Sequence, residues 1–341
     1  QLEDFARKTY TPIGFLFLDE PPVEEVPIPD FRTIRHTPVG GPTGRVSANL
    51  LDTVYVCQAR QEWYRDNQLL NGESPLQFVG SATLSSPIVE VAEQMSQVLD
   101  WSPEIRRRLS SWDLALTRLR ENAEIAGVLV MISGIAGSNT RRKLDPEEFR
   151  GFALADPHAA LVFVNGADSK PAQIFTLAHE LAHLWLGQTA LSDVVPESAR
   201  SYDEERWCNR VAAELLVPME EFELALDDGS DIGAQLQPLA ERFRVSTQVI
   251  LGRMREIGAL SWDQFMVELR IENERVAETI SRRGSGGNYY NTKPVQVGKR
   301  FAREVIASTL EGRTTYTEAF RLLDVKKTST LHGLGKQLGV L

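Results

Sequence analysis

The chain has 341 residues, of which 42% are hydrophobic and 25% charged, an ordinary balance for a globular protein with a sizeable core. Its formal net charge is −10, which argues against non-specific nucleic-acid binding by the whole molecule but not against a local basic patch. No apolar run approaches the ~20 residues needed to cross a bilayer and no signal peptide opens the chain; two lone cysteines, Cys57 and Cys208, fit a soluble protein of the reducing cytoplasm with no membrane partner.

The first residue is Gln rather than Met, so the chain is expected to begin inside a longer protein. Residues 1–18 read as a short amphipathic helix (Leu2, Phe5, Ala6), a break at Pro12 and a second apolar turn. They resemble the last helices of a repressor-type helix-turn-helix domain, with an ordinary helical hairpin as the competing reading. Residues 19–45 are Pro- and Gly-rich and predict an extended linker, which sets a first boundary at 45.

Residues 46–125 predict a helical region. Ser47 can cap Asn49–Gln68, Ser86-Pro87 starts a helix to about Leu99, Ser102-Pro103-Glu104 opens another, and Ser111 can cap Trp112–Ala123. The Trp112, Leu116 and Leu119 stripe reads as core. Gly127–Ser133 predicts a buried strand, 134–142 a polar loop and Leu144–Phe149 a short turn. Gly151–Leu154 and Ala160–Asn165 predict two strands joined by an Asp156-Pro157-His158 turn, with His158 as a surface residue. A strand directly ahead of a metal helix is expected to flank a cleft, where its edge can pair with an extended peptide.

Ile174–Gly187 carries the chemistry: Ile-Phe-Thr-Leu-Ala-His-Glu-Leu-Ala-His-Leu-Trp-Leu-Gly. His179 and His183 are four residues apart in an apolar run, so a helix stacks both imidazoles on one face, one turn apart. Two of the five histidines of the chain sit in this pattern. A single ion shared by the two rings, with Glu180 beside it to take a proton from an activated water, is the metallopeptidase arrangement. Zn²⁺ is the expected ion, although Mn²⁺ or Fe²⁺ would accept the same ligand types. Gly187 is placed to end the helix.

Thr189–Ser201 reads as a loop, and Asp203–Pro218 as a strong helix stopped by its proline. This helix is expected to donate the third ligand. Glu205 is the choice, with Glu204 and Glu214 as competing carboxylates, and Asn209 one turn on could orient Glu205 or His183. Tyr202 and Arg206 are weak candidates for a second oxyanion donor. Residues 219–229 predict a loop. Leu236–Leu260 has helix-turn-helix spacing, with Ser246 as cap and Arg253 and Arg255 expected to be exposed; a helical subdomain packed on the catalytic core is favoured over a DNA reader. Trp262–Ala277 continues as a helix. Residues 281–298 are Gly-rich and basic and predict a hinge. The tail predicts helices at about Phe301–Glu311, at Tyr316–Leu323 and after Thr328; Lys326 and Lys327 make it the one clearly basic patch, a candidate for nucleic acid or a protein partner.

Several of these stretches together resemble the ImmA/IrrE family of metallo-endopeptidases: Phe149-Arg150-Gly151-Phe152-Ala153-Leu154, Val164-Asn165, Phe175–His183, and Glu205-x-x-Cys-Asn209 running to Pro218. The likeness covers about residues 125–260. The flanks are similar to longer members with an XRE-type helix-turn-helix in front. The resemblance implies an α+β fold: a mainly helical zincin-like metallopeptidase core with a small sheet at 126–228, a helix-turn-helix-like subdomain at 229–280, and a helical domain at 285–341. It implies metal binding by His179, His183 and Glu205 with Glu180 as base, and cleavage of a cognate DNA-bound repressor that controls stress-response or mobile-element genes. Cys208 departs from the Ala common in the family, a small change that places a thiol beside the site. The competing class is an antitoxin or transcriptional regulator that holds a toxin or an operator, its metal site structural or vestigial.

Overall fold

The computed structural model describes residues 2–9, 13–18, 27–28, 46–192, 199–227, 232–281 and 289–341. Helix α1 (Leu2–Thr9) is followed by a 3-10 turn at Ile13–Phe17. The linker expected over 19–45 lies outside the described residues except at Pro27 and Ile28, and the Ile28 side chain is buried. The capping serines act as their positions predict. Ser47, Ser102 and Ser111 each accept a backbone N–H three residues on, opening α2 (Ala48–Leu70), α4 (Pro103–Arg108) and α5 (Trp112–Ile125). Between the first two lies α3 (Ile88–Val98).

A four-stranded mixed sheet sets the frame. Its strands are β1 (Leu129–Ser133), β2 (Gly151–Leu154), β3 (Leu161–Asn165) and β4 (Ala190–Ser192), in the order β1-β3-β2-β4. β1 and β3 are parallel, and the other pairs are antiparallel. The turn between β2 and β3 is locked by Asp156, whose Oδ1 accepts the N–H groups of His158 and Ala159 at 2.8 and 2.9 Å. β3 is therefore internal, with both its edges paired, and cannot take up a peptide as its position ahead of the metal helix implied. The outer strand on the β2 side is β4, in a stretch that reads as loop from sequence because three residues carry too little periodicity.

Both faces of the sheet are covered, so its strands read as continuous apolar runs. Val130, Ile132, Ala153, Val162 and Val164 face a core built with α3, α5, α6 (Lys170–Leu186) and α7 (Ala199–Leu216). The same core takes in residues of α8 (Met219–Glu223), α9 (Ile232–Phe243) and α10 (Thr247–Glu256), and part of α11 (Trp262–Ser281) packs against it. The alternate residues Leu129, Met131, Phe152, Leu161 and Phe163 face a second core built from α2, α12 (Tyr289–Val297), α13 (Lys299–Leu310), α14 (Tyr316–Leu323) and α15 (Thr328–Gln337).

Two elements correct the sequence reading. The hinge expected at 281–298 is, in its described part, the helix α12, despite Pro294 inside it. Val297 and Lys293 are buried there, and the Lys293 ammonium donates to Ser138 Oγ at 2.7 Å and pairs with Asp324 at 3.4 Å. The 219–229 loop likewise begins as α8, with Phe222 wholly buried. In both, tertiary burial overrides weak local propensity. No described helix is long and apolar enough to cross a membrane.

Candidate metal centre

Helix α6 is built to be rigid. Ser169 caps its start, Pro171 sits in the first turn, and twelve of its side chains, from Gln173 to Trp185, are buried. At its end Gly187 takes φ 68°, and a Cβ there would come within 2.9 Å of the Gly80 Cα. That contact closes the helix on the 76–82 segment. Gly80 and Ala82 donate to the Leu184 and Trp185 carbonyls at 3.0 and 2.9 Å, and Phe78 stacks on Trp185. These bonds satisfy orphan groups of the last turn.

His179 and His183 point from this helix toward α7, where Glu205 meets them. His179 Nε2 lies 3.1 Å from Glu205 Oε2, His183 Nε2 lies 3.2 Å from Glu205 Oε1, and the two Nε2 atoms are 3.1 Å apart. Three donors held ~2.0–2.1 Å from a tetrahedral ion stand about 3.3 Å apart. The triangle therefore matches one face of such a coordination shell, and the donor set of two imidazoles and a carboxylate suits Zn²⁺. It is the one group of metal-ligating side chains found among the described residues.

The charges confirm how tightly these groups are coupled. Burial pushes the Glu205 carboxyl up, yet His179 and then His183 outweigh it and hold it at about 2. Burial opposes a proton on His179, but the Glu205 carboxylate overcomes it and the ring is raised above the usual range, with a small contribution from the Asn209 side chain. His183 is lowered, because burial dominates there. The two rings are thus pushed in opposite directions by the same carboxylate and the same burial.

Glu180, wholly buried, follows the first ring. Its carboxylate rests against the start of β2: a Cβ on Gly151 would lie 2.9 Å from Glu180 Oε1, 2.6 Å from Thr176 Cγ2 and 2.8 Å from the Phe163 carbonyl. Only a glycine at 151 leaves that carboxylate its place. Asn165, also wholly buried, holds the same corner by donating to the Phe149 carbonyl at 3.1 Å and accepting from Ala167 N at 3.0 Å. Gly151 and Asn165 fall in stretches that carry the family resemblance, yet their supporting roles emerge only from the packing.

The competing carboxylates are engaged elsewhere. Glu204 accepts from Gln188 Nε2 at 2.9 Å, and Glu214 pairs with Arg253 at 2.7 Å while accepting from Met219 N. Arg253 is accordingly 4% exposed and not on the surface, because Glu214 and Glu256 clamp it inward. That removes it from any DNA-reading face of the α9–α10 helix pair. Loss of such a buried pair costs about 3 kcal/mol, so Arg253→Ala should lower the urea midpoint by a corresponding amount while Arg255→Ala should leave it nearly unchanged.

The Asn209 side chain hydrogen-bonds His179. His158 lies in the β2–β3 turn and takes no part in the cluster. Cys208 is wholly buried, and burial followed by the Glu205, Glu180 and Glu204 carboxylates raises its thiol well above the usual range, so it stays protonated and outside the ligand set. The Tyr202 side chain lies outside the described residues. Arg206 lines an open cleft of about 1000 Å³ that reaches Glu205 and Asn209 and runs between α7 and α10. Phe175 also lines that cleft and stacks on the His179 ring, with centroids 6.4 Å apart.

A family model described as the IrrE N-terminal-like domain, of a peptidase family, matches residues 123–255, the span from the end of α5 through the sheet, α6 and α7 to α10. Residues 297–337 match a second family described only as a domain of unknown function. No curated protein matches the chain. Fold, donor triangle and family match coincide on one segment, residues 123–255, whose similarity to the IrrE N-terminal-like peptidase domain supports the ImmA/IrrE assignment that the resemblance implied.

Proposed function

We propose that this protein is a metal-dependent endopeptidase in which His179, His183 and Glu205 hold a divalent cation and Glu180 is the general base. The observation that carries the reading is the donor triangle of 3.1–3.2 Å, whose Glu205 lines an open cleft. A cation held there supplies Lewis acidity to a water and to the scissile carbonyl. Glu180 accepts the water proton as the water oxygen attacks the carbonyl carbon. It then delivers that proton to the departing amine as the C–N bond breaks. Its buried position against Gly151 fixes the carboxylate without a flexible approach. Zn²⁺ is the ion this donor set favours, with Mn²⁺ or Fe²⁺ as substitutes.

The substrate carried by the family resemblance is a regulatory protein, a DNA-binding repressor. An antitoxin or regulator with a vestigial site is the weaker reading, since such a site has no need of three converging donors beside a cleft. Dialysis against a chelator should abolish proteolysis of a repressor substrate, and one equivalent of Zn²⁺ should restore it. Cleavage that survives complete removal of the metal would reject the proposal.

A further inference from the structure

Among the described residues, the cleft beside the donor triangle is lined by more guanidinium groups than carboxylates. Five guanidinium groups line it, from Arg150, Arg206, Arg210, Arg253 and Arg255. Three carboxylates line it as well, and each is already engaged. Glu205 meets the two imidazoles, while Glu214 and Glu256 both bind Arg253, at 2.7 and 2.5 Å. Arg150 has Asp168 at 3.8 Å. Arg206, Arg210 and Arg255 have no carboxylate within ion-pair distance among the described residues.

Their placement makes the surplus specific to the cleft. Arg206 and Arg210 sit one turn apart on the wall of α7 that holds Glu205, a like-charge pair that destabilises a helix when nothing answers it. Arg255 faces the cleft from α10 with its guanidinium 4.2 Å over the Trp262 ring, which fixes the head without neutralising it. In a chain of net charge −10, this is a local reversal of sign.

We propose that the cleft selects an acidic stretch of the polypeptide substrate, with Arg206 and Arg210 gripping carboxylates from one wall and Arg255 from the other. The proposal rests on the endopeptidase reading for the chemistry at the end of the cleft. Four residues of helix rise ~6 Å, and alternate side chains of an extended peptide are ~6.6 Å apart. The Arg206–Arg210 pair therefore fits a Glu-x-Glu spacing on an extended strand. Nucleic-acid phosphates would also satisfy guanidinium groups, but Ile88, Val89, Phe175, Val249, Met219 and Phe265 line the same cleft. Apolar lining receives side chains and gains nothing from a phosphate backbone. The arginine trio then acts on substrate choice and leaves the reacting groups to α6.

Binding is the cleanest readout, because it needs no turnover. The full chain carrying Glu180→Gln and loaded with Zn²⁺ is titrated, by fluorescence anisotropy, into two labelled peptide pools with random flanks, one centred on Glu-x-Glu and the other on Gln-x-Gln. The acidic pool should bind about tenfold more tightly at low salt, from a few partly exposed ion pairs. The double variant Arg206→Gln/Arg210→Gln should erase the difference while keeping its zinc and its thermal midpoint. Equal or undetectable binding of the two pools, or a preference that survives the double variant, would overturn the proposal. So would duplex DNA that binds through the same arginines while the pools do not differ. A clear acidic preference in a wild-type protein that cleaves nothing would instead reject the catalytic reading alone.

Discussion

Replacing Glu180 with Gln is expected to leave the bound cation in place and lower the rate of peptide hydrolysis by about 10³-fold, within the ~10²–10⁴-fold range typical of a positioned general base. The substitution is nearly isosteric, so the contact with Gly151 and Thr176 survives. What is lost is the proton acceptor. The diagnostic pattern is an unchanged zinc content, an unchanged thermal midpoint and a kcat that falls while KM stays close to its original value. A Glu180→Gln variant that cleaves a genuine substrate at the wild-type rate would remove Glu180 from the chemistry.

The largest effect on the metal should come from Glu205→Ala. Structural zinc sites are worth ~10–16 kcal/mol spread over about four ligands, or ~3 kcal/mol each, so one lost ligand weakens binding by about 10²-fold or more. Removing Glu205 also deprives His179 of the carboxylate that raises its ring. Proteolysis should fall below detection at sub-micromolar Zn²⁺. Glu204→Gln is the informative control. Its neighbour Gln188 donates to the carboxylate at 2.9 Å and can donate to an amide oxygen as well, so metal content and activity should both persist. A reversed outcome, with metal lost in the Glu204 variant and kept in the Glu205 variant, would reassign the third ligand.

The parts of this protein legible from sequence are those whose signals are local. Ser47, Ser102, Ser111 and Ser246 announce their helices because the cap bond is made three residues away. The His179–His183 pair is equally local, one turn of α6, and Gly187 stops that turn where a positive φ is needed. The third donor of the cluster lies on a different helix. Glu204, Glu205 and Glu214 are equivalent as residue types, and only the packing of α7 on α6 turns Glu205 inward and leaves Glu204 to Gln188 and Glu214 to Arg253. Arg253 reads as exposed because helical periodicity contains no trace of a partner carboxylate on another helix.

The same limit explains the elements that sequence reading misses. Pro294 and the glycines before it argue for a hinge, yet α12 forms because Lys293 and Val297 are buried there and Ser138 and Asp324 receive the ammonium. β4 has three residues, too few to show an alternation, and is recruited by β2 through Gly151–Ser192 and Ala153–Ala190. Its recruitment, and the burial of both edges of β3, move the sheet edge on the β2 side to a strand that composition gives no reason to single out.

The most direct test is anomalous diffraction at the zinc edge from crystals of the intact chain grown with Zn²⁺. A single strong peak should appear ~2.0–2.2 Å from the Nε2 atoms of His179 and His183 and from the Glu205 carboxylate, with the Glu180 carboxylate beside it and outside bonding distance. A peak seated on other residues, or these side chains turned away from one another with no density between them, would contradict the account.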